Sequence, residues 1–532
     1  MTEILMPEPE LVFYIYLLLT ITVLQLRNIS GARILLLSPQ IPSHVIEQTA
    51  TGEELVHRGH EVYIAIGSEF RNPEPLEQLG LRTVTYHTPM DIALEASRDM
   101  AEYIFSPDYN AINFRRMVSA RLSRECEFMM SDSTFIEQVR ALKLDFALVE
   151  SCGKNPCILL LPYSLNIRFA SLNNYYLPWI IRMPALPSFL RIQSLYSNIS
   201  TDSRSMFWNS LLNTAIYLSM HWLMPSTAWN STLLEKYSSQ KITWNELILK
   251  SELFFAANDH HLDAPLPMFP NMIAVPCITV RTTKPLPEEL DKLAAQSPDG
   301  IILVTFGSMA YNFPKSVTVK FLEAFSRIKQ TVIAKLSIPE GVTVPGNVYV
   351  FRWLPQNDIL GHRQTKLFVT HCGSLGQHEA LYHGVPMLGF PLFTAQPRNC
   401  ERARAKGFGL TMNIHDFTSD ELLDNIRELL DNTTYGDNIK RRSAILRDQP
   451  LVGPKKAAYW IEHVLKHGSD HLRSPAMDLP LHRFLMLDVI AFVSITAFLI
   501  SAVACVSIAV IARTLWMKWR KWMHWASQKK RQ

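Results

Sequence analysis

Two segments of the chain combine glycine, serine and histidine in a way that suits a bound phosphate. Gly307 and Ser308 follow an apolar run, and glycine permits close backbone approach while a serine hydroxyl and amide can hold an anion. The sequence HCGSLG at residues 371–376 lies between a predicted strand and a predicted helix, where free N–H groups and the helix dipole favour negative charge. The candidate ligands there are His371, Gly373, Ser374 and Gly376. A Gly-Ser pair after a strand is common and a strand-end histidine often bonds only to backbone, so both interpretations stay open.

Neighbouring residues suit a nucleoside. Trp353 follows a predicted strand, so its indole can stack on a flat base while the amide of Gln356 pairs with the base edge. Glu379 lies slightly more than one helical turn past Ser374, where a carboxylate can accept both ribose hydroxyls. A tryptophan packed in the core is the alternative interpretation of Trp353.

His44 follows the first predicted strand, in the segment Pro-Ser-His that opens a helix. An alcohol or phenol that attacks a sugar must lose a proton, and a neutral imidazole with a pKa of about 6.5 can accept it. A lone histidine is more often structural, so this position alone does not assign the role.

Apolar runs alternate with amphipathic stretches in two parts of the chain. We predict strands at 33–38, 62–66, 144–149, 301–306, 331–336, 348–351, 367–370 and 386–390, with helices at 315–329 and 375–383. Strand–helix–strand order at this spacing predicts parallel sheets with right-handed crossovers. The predicted fold is therefore α/β with two doubly wound, Rossmann-like domains. Their predicted limits are 32–275 and 294–470, joined by a proline-containing linker at 276–293.

Ligands of doubly wound sheets bind beyond the carboxyl ends of the strands. We therefore expect six strand-end residues to face one cleft between the two domains: His44, Glu150, Ser308, Trp353, His371 and Gln396.

Both ends of the chain predict membrane targeting. Residues 11–26 carry no charge and have the length of a signal-peptide core. A signal peptide at 1–31 is expected, although the acidic segment before the core leaves an uncleaved anchor or a buried strand as alternatives. Residues 489–512 also carry no charge, and at about 1.5 Å per residue they can cross a bilayer.

The flanks of this span predict its orientation. A juxtamembrane segment at 471–488 precedes it and a basic tail at 513–532 follows it, so the positive-inside rule predicts a single-pass type I protein with a cytosolic tail and luminal domains. The final Lys-Lys-Arg-Gln resembles a dilysine retrieval signal for the endoplasmic reticulum. Four sequons suit a luminal glycoprotein: Asn28, Asn198, Asn230 and Asn432.

Composition excludes several classes of protein. With 48% hydrophobic and 19% charged residues the chain is not disordered, and a net charge of +4 does not indicate nucleic-acid binding. Seven cysteines in 532 residues do not make a disulfide scaffold. No Cys/His spacing or Asp-x-Asp loop suits a metal, so we expect neither a metal nor a cofactor.

Residues 351–399, FRWLPQNDILGHRQTKLFVTHCGSLGQHEALYHGVPMLGFPLFTAQPRN, resemble the nucleotide-sugar signature of the UDP-glycosyltransferases. The resemblance is strongest to the animal membrane-bound branch that contains the UDP-glucuronosyltransferases. It extends to VTFGSM at 304–309, LVHRGHEV at 55–62 and DHLRSPAMDL at 470–479, and so to nearly the whole chain.

The resemblance implies a GT-B fold and an inverting, metal-free transfer, with the acceptor in the first domain and the UDP-sugar co-substrate in the second. His44 has the position of the catalytic base, and Glu150 stands where the family has the aspartate that fixes the tautomer of that base. The implied UDP-sugar contacts are Ser308, Trp353, Gln356, His371, Gly373, Ser374, Gly376, Glu379 and Gln396.

The chain departs from the family pattern at polar positions. Glu150 replaces an aspartate, Leu375 replaces an asparagine, and Ala395 replaces the aspartate of an Asp-Gln pair that contacts the sugar hydroxyls. Ala257 aligns with the arginine that glucuronosyl-specific members use for the uronate, which favours a neutral sugar unless Arg398 compensates.

These observations predict an enzyme that moves a hexosyl or glucuronosyl group from a UDP-sugar to a hydroxyl of a small lipophilic acceptor. The alternative is a weak or inactive luminal protein that binds a UDP-sugar or a partner. The sequence leaves the acceptor and the oligomeric state open, a homo-oligomer included.

Overall fold

The computed structural model describes residues 31–71, 76–106, 109–150, 156–173, 181–182, 206–227, 231–238, 240–257, 260–263, 268–393 and 395–529. The predicted signal peptide except for residue 31, the asparagines Asn28, Asn198 and Asn230, and residues 530–532 of the retrieval signal lie outside these ranges. Residues 31–473 form one compact unit and residues 474–529 form another.

The first sheet has seven parallel strands in the order β3-β2-β1-β4-β5-β6-β7. The strands are β1 (Arg33–Leu37), β2 (Glu61–Gly67), β3 (Arg82–Tyr86), β4 (Phe146–Glu150), β5 (Phe169–Asn173), β6 (Phe254–Ala256) and β7 (Met272–Ala274). Apolar runs such as RILLL and FALVE are buried along almost their whole length, as expected for strands with helices on both faces.

The second sheet has six parallel strands in the order β10-β9-β8-β11-β12-β13. The strands are β8 (Ile301–Thr305), β9 (Thr331–Lys335), β10 (Val348–Val350), β11 (Thr365–Thr370), β12 (Met387–Gly389) and β13 (Gly409–Thr411). The two sheets confirm the predicted α/β fold with two doubly wound domains, and the predicted strand limits differ from the observed ones by one or two residues.

Helices connect the strands. They are α1 (Pro42–His57), α2 (Ile92–Ile104), α3 (Ala111–Ser131), α4 (Ser133–Ala141), α5 (Leu160–Ser164), α6 (Met206–Thr227), α7 (Ser231–Tyr237), α8 (Trp244–Leu249), α9 (Glu288–Ala295), α10 (Lys315–Phe325), α11 (Gln356–Leu360), α12 (Ser374–His383), α13 (Gln396–Ala405), α14 (Ser419–Asp431), α15 (Thr433–Arg447), α16 (Pro454–His467), α17 (Leu481–Phe484) and α18 (Leu487–Lys529). Short 3₁₀ turns form at Leu76–Leu79, Pro156–Leu159 and Pro475–Asp478.

The predicted linker at 276–293 is not a free connection. Cys277 and Val280 are buried in the core beneath the second sheet, whereas Ile278 is buried in the core of the first. Helix α9 begins inside the predicted linker and buries Leu290 and Leu293. The prolines lie beside apolar residues, and the burial of those residues holds the connection against both cores, while the assignment of 276–293 as the linker stays a prediction.

The last helix within the predicted second domain, 294–470, packs against the first domain. Helix α16 packs on α1 of the first domain, and its buried residues join the core of the first sheet: Ala457, Ala458, Ile461 and Val464. Their spacing gives one apolar helix face, and that face finds its partner in the first domain.

Contacts also run in the other direction. Met100, Ile104 and Phe114 from α2 and α3 are buried in the core of the second sheet, and the hydroxyl of Ser97 donates to the carbonyl of Met309 at 2.7 Å. The two domains thus share apolar core on two sides.

The C-terminal unit contains α17 and α18. Of the described helices, α18 is the one long and apolar enough to cross a membrane, with a mean hydropathy of 2.6 in its most apolar window. It extends beyond the predicted span of 489–512 into the predicted basic tail, because residues 487–529 contain neither glycine nor proline.

Candidate active site

Each sheet has a switch point, where the strand order reverses and ligands bind in doubly wound folds. In the first sheet this is between β1 and β4, and in the second it is between β8 and β11. His44 and Glu150 lie at the first switch point, and Ser308 and His371 lie at the second.

The first switch point joins His44 to Glu150. Pro42 starts α1 after the short loop that follows β1 and thereby places His44 in the first turn, while Glu150 ends β4. The Nδ1 atom of His44 forms a hydrogen bond with Oε1 of Glu150. The histidine side chain is 20% exposed and that of the glutamate 1%, so one ring faces solvent and its partner is enclosed.

Two further carboxyl groups surround this pair. Glu47, one helical turn after His44, and Glu125 on α3 are both buried. Glu125 accepts hydrogen bonds from the amide of Gln40 at 2.8 Å and the hydroxyl of Tyr86 at 3.1 Å. Burial raises the pKa of Glu125 to about 7, against the lowering effect of these donors and of His44.

The same cluster has the geometry of a metal site. His44, Glu47 and Glu150 each offer a ligand atom, and these atoms lie within 4.8 Å of one another. Imidazole and carboxylate together suit Zn²⁺ or Mn²⁺. A cation there would compete with the hydrogen bond between His44 and Glu150, so the expected absence of a metal stays a prediction.

The second switch point encloses His371 between two glycines. A Cβ atom added to Gly307 would lie 2.8 Å from the imidazole ring, and one added to Gly373 would lie 2.6 Å from it. Gly307 also has φ of +82°, a conformation that favours glycine. The Nδ1 atom of His371 and the hydroxyl of Ser308 are buried, and neither has a hydrogen-bond partner among the described residues. Buried polar atoms left in this way suit a ligand that supplies the partners.

Lys335 at the end of β9 brings a cation to this loop. Its Nζ donates to the carbonyl of Gly307 at 3.0 Å and lies 4.9 Å from the ring centroid of Trp353 and 5.3 Å from that of Tyr311. Burial lowers the pKa of Lys335 to about 8. Burial also lowers the pKa of His371 to about 4, with the nearby Lys335 as a second cause. Between these two pKa values, about 4 and about 8, His371 is a neutral donor and Lys335 carries the charge.

The start of α12 adds amide donors. Gly373 is the N-cap residue, and no side chain caps the first N–H groups of the helix. The helix begins at Ser374, one residue before the predicted start at 375. A Cβ atom on Gly376 would meet the amide nitrogen of Gln356 at 3.1 Å, so the glycine lets α11 and α12 approach. The first turn of α12 therefore presents N–H groups at the carboxyl end of β11.

Trp353, Gln356 and Glu379 lie around this turn. Trp353 is 38% exposed and thus not a core tryptophan. Glu379 is buried, and it accepts hydrogen bonds from Nε2 of Gln356 at 2.6 Å and from the hydroxyl of Thr279 at 2.9 Å. Burial raises the pKa of Glu379 to about 7, although both donors lower it.

Gln396 starts α13 and is buried rather than open to solvent. Its side-chain oxygen accepts the backbone amides of Leu392 at 2.8 Å and Phe393 at 3.0 Å, so this residue holds the loop after β12. A disulfide between Cys372 and Cys400 joins the His371 loop to the same helix. The sequence leaves this pairing open, since it does not predict which cysteines meet.

Arg398 is engaged across the domains. It and Arg402 both donate to the buried Asp263, at 2.8 Å and 2.7 Å. Ala257 is fully buried at the end of β6. The cation that could compensate for a missing uronate ligand is thus paired with a carboxylate of the first domain.

A small cavity lies beside Glu125. It is lined mainly by apolar side chains from α3 and the turn after β4, and by the disulfide between Cys126 and Cys157. The cavity places hydrophobic surface close to the carboxyl cluster of the first switch point.

Sequence reasoning missed three residues of these two sites. Glu47 could have been found, because residues three apart in a helix share a face. Lys335 could also have been found, because it is a polar residue at the end of a predicted strand, as are the six strand-end residues named above. Glu125 had no such sequence signal, since it lies in the middle of α3 and only the tertiary structure brings it to His44.

Comparison with known proteins assigns the chain to a family. The model for UDP-glucoronosyl and UDP-glucosyl transferase matches residues 33–528. The chain belongs to this family and is a UDP-glycosyltransferase, which confirms the resemblance in the sequence.

Two curated relatives illustrate the family. UDP-glucuronosyltransferase 2C1 of Oryctolagus cuniculus is 30% identical over 474 residues, which covers 85% of this chain and 92% of the relative. UDP-glucosyltransferase 2 of Dactylopius coccus is also 30% identical, over 88% of this chain and 90% of the relative. The two names differ in the sugar, so family membership does not decide the donor.

Solved structures show the same GT-B fold. The glycosyltransferase VinC in complex with dTDP aligns over 82% of this chain and 100% of its own, with a TM-score of 0.55 and 19% identity. Os79 of O. sativa, solved with U2F and a trichothecene, aligns over 81% of this chain and 100% of its own, with a TM-score of 0.54 and 13% identity.

Proposed function

We propose that this enzyme transfers a hexosyl or glucuronosyl group, with inversion, from a UDP-sugar to a hydroxyl of a small lipophilic acceptor. The observation that carries the proposal is the hydrogen bond between Nδ1 of His44 and the enclosed Glu150. A carboxylate that accepts from Nδ1–H leaves Nε2 unprotonated, so Nε2 is the atom that takes the acceptor proton.

The acceptor oxygen then bonds to the anomeric carbon as the bond from that carbon to the UDP oxygen breaks. Attack from the face opposite the leaving group inverts the configuration. The departing diphosphate gains negative charge, which Lys335, His371, the Ser308 hydroxyl and the first amides of α12 are placed to stabilise. These donors support a transfer that needs no metal and no other cofactor.

Among donors, we propose that a neutral hexose is preferred over glucuronate. Ala257 offers no charge, and Arg398 already pairs with Asp263.

Purified full-length protein incubated with UDP-glucose, UDP-galactose, UDP-N-acetylglucosamine or UDP-glucuronate and a panel of phenols and lipophilic alcohols tests the proposal. We expect EDTA-resistant turnover, a product of inverted configuration by NMR, and faster reaction with a neutral sugar. Binding of UDP-sugars, seen as a rise in melting temperature, without any turnover would instead support the binding-protein alternative.

We also propose that both domains lie in the lumen of the endoplasmic reticulum. The disulfides Cys126–Cys157 and Cys372–Cys400 support an oxidising compartment, and α18 supports a single membrane span. A protease added to sealed microsomes should leave the two domains intact and remove a C-terminal tag. Treatment with a glycosidase should lower the mass of the protein. Digestion of the domains in intact microsomes would overturn this topology.

A further inference from the structure

Three histidines are spaced four residues apart near the end of unit 31–473. His463 and His467 lie on α16, and His471 lies in the loop beyond it. Residues four apart in a helix share a face, so the first two are neighbours. Gly468 ends the helix with φ of +73° and ψ of −179°, a conformation open to glycine, and the chain then returns towards the helix.

The turn brings the imidazoles together. The Nε2 atoms of His463 and His471 are 2.8 Å apart. The ring of His463 lies 5.0 Å, centroid to centroid, from His467 and 5.0 Å from His471. In the neutral pair one Nε2–H donates to the other Nε2, so two strong metal ligands converge on one point.

Buried neighbours hold both segments in place. Ile461 and Val464 of α16 and Leu472 beside His471 all belong to the core of the first sheet. Arg473 donates to the carbonyl of Leu249 at 2.7 Å. The histidines are therefore mounted on anchored backbone and not on a loose tail.

We propose that His463, His467 and His471 form a binding site for a borderline divalent cation of the Zn²⁺ type. Tetrahedral Zn²⁺ with Zn–N bonds of about 2.0–2.1 Å needs nitrogens roughly 3.3 Å apart. The Nε2 atoms of His463 and His471 reach this distance when they move about half an ångström further apart. Rotation of His467 supplies the third nitrogen, and water takes the fourth position. Mg²⁺ and Ca²⁺ prefer oxygen ligands and are not expected.

This site is separate from the carboxylate-rich cluster at His44, Glu47 and Glu150, and it does not take part in the proposed transfer. A cation at the histidines would join the end of α16 to the loop that follows, and a ligand that binds only the folded state raises stability.

The experiment uses full-length protein with a tag that contains no histidine, stripped with EDTA and titrated with ZnCl₂ against a chromophoric chelator. We expect one Zn²⁺ per chain, a higher melting temperature with Zn²⁺, and at least a tenfold loss of affinity in His463→Gln and in His471→Gln. His467→Gln should weaken binding less. His87→Gln, at an exposed histidine after β3, is the matched control and should bind like the wild type.

Other outcomes overturn the proposal. It fails if the wild type binds no stoichiometric Zn²⁺, or if the double variant of His463 and His471 binds it with wild-type affinity. It also fails if His44→Ala removes the bound Zn²⁺, since the cation would then lie at the first switch point. A UDP-induced rise in melting temperature shows that each variant is folded, independently of metal binding.

Discussion

At the switch point of the first sheet, loops and helices bring one imidazole together with three buried carboxyl groups, those of Glu47, Glu125 and Glu150. At the equivalent point of the second sheet they bring one imidazole together with the ammonium group of Lys335, a serine hydroxyl and the free amides of α12. The same topology therefore carries opposite charge. Carboxylates stabilise an imidazolium and suit a proton acceptor, whereas cations and N–H groups suit a diphosphate.

The contrast extends to the two histidines. His44 has an enclosed carboxylate on Nδ1. For His371, burial and Lys335 lower the pKa to about 4, so it stays neutral. If the two switch points divide the work in this way, changes at the first should slow turnover and changes at the second should weaken UDP binding.

The largest effect is expected for His44→Ala. Removal of a general base should lower kcat by on the order of 10³-fold, while the affinity for UDP stays within about twofold. Steady-state kinetics and UDP titration by calorimetry measure the two quantities, with His87→Gln as control. Unchanged kcat would show that another group takes the proton.

Glu150→Gln should follow, with kcat about 10²-fold lower, because an amide no longer stabilises the imidazolium. Glu150→Asp should recover part of this loss, since it keeps the charge but is one methylene shorter. An equal loss in both variants would mean that a negative charge alone is not sufficient and that the length of the side chain is required as well.

Lys335→Met tests the second switch point. Loss of a charged hydrogen bond to the diphosphate should weaken UDP binding by about 10–100-fold at pH 7, measured by calorimetry, while the exposed Lys329→Met does not. The ligand-free Lys335→Met variant should have a melting temperature no lower than that of the wild type. The reason is that folding lowers the pKa of Lys335 from 10.5 to about 8, so the charged side chain costs stability in the folded state. Folding then releases protons between these values, so the wild type gains stability only as pH rises through that window.

Glu379→Gln should weaken UDP binding about tenfold at pH 8, since an amide accepts fewer hydrogen bonds from the ribose. The affinity of the wild type for UDP should also fall below pH 7, where Glu379 gains a proton, and above pH 8, where Lys335 loses one.

The pKa of Glu379 is raised from 4.5 in the unfolded chain to about 7 in the folded protein. The contribution of Glu379 to folding stability is therefore present below pH 4.5 and is lost as the pH rises through 7. A UDP affinity that stays flat from pH 6 to 9 would contradict both assignments.

The smallest effect is expected for Cys372→Ser with Cys400→Ser. The disulfide joins the His371 loop to α13, and Asn399 of that helix also donates to the carbonyl of Cys372 at 3.0 Å. Because this hydrogen bond remains when the disulfide is removed, UDP binding should weaken only a few-fold. The double variant of Cys126 and Cys157 is the matched control, and an equal loss there would point to general destabilisation.

The amino-acid sequence by itself determined the alternation of strands and helices, the two doubly wound domains and the family. These depend on local periodicity and on contiguous motifs, such as the segment around His371, where each residue acts within a few positions of the next. It also placed His44 and Glu150 at the ends of two strands, although 106 positions separate them, because parallel strands end at the same edge of a sheet.

The tertiary structure alone decided which distant groups meet. Glu125 reaches His44 only through the packing of α3, and α16 joins the core of the first sheet although the second domain precedes it in the chain. Likewise, the pairing of Cys372 with Cys400, of Arg398 with Asp263 and of His463 with His471 is set by chain reversals and by buried apolar faces. The hydrophobic effect that drives this packing has no direction, so the sequence pattern shows that a face will be buried but not against which partner.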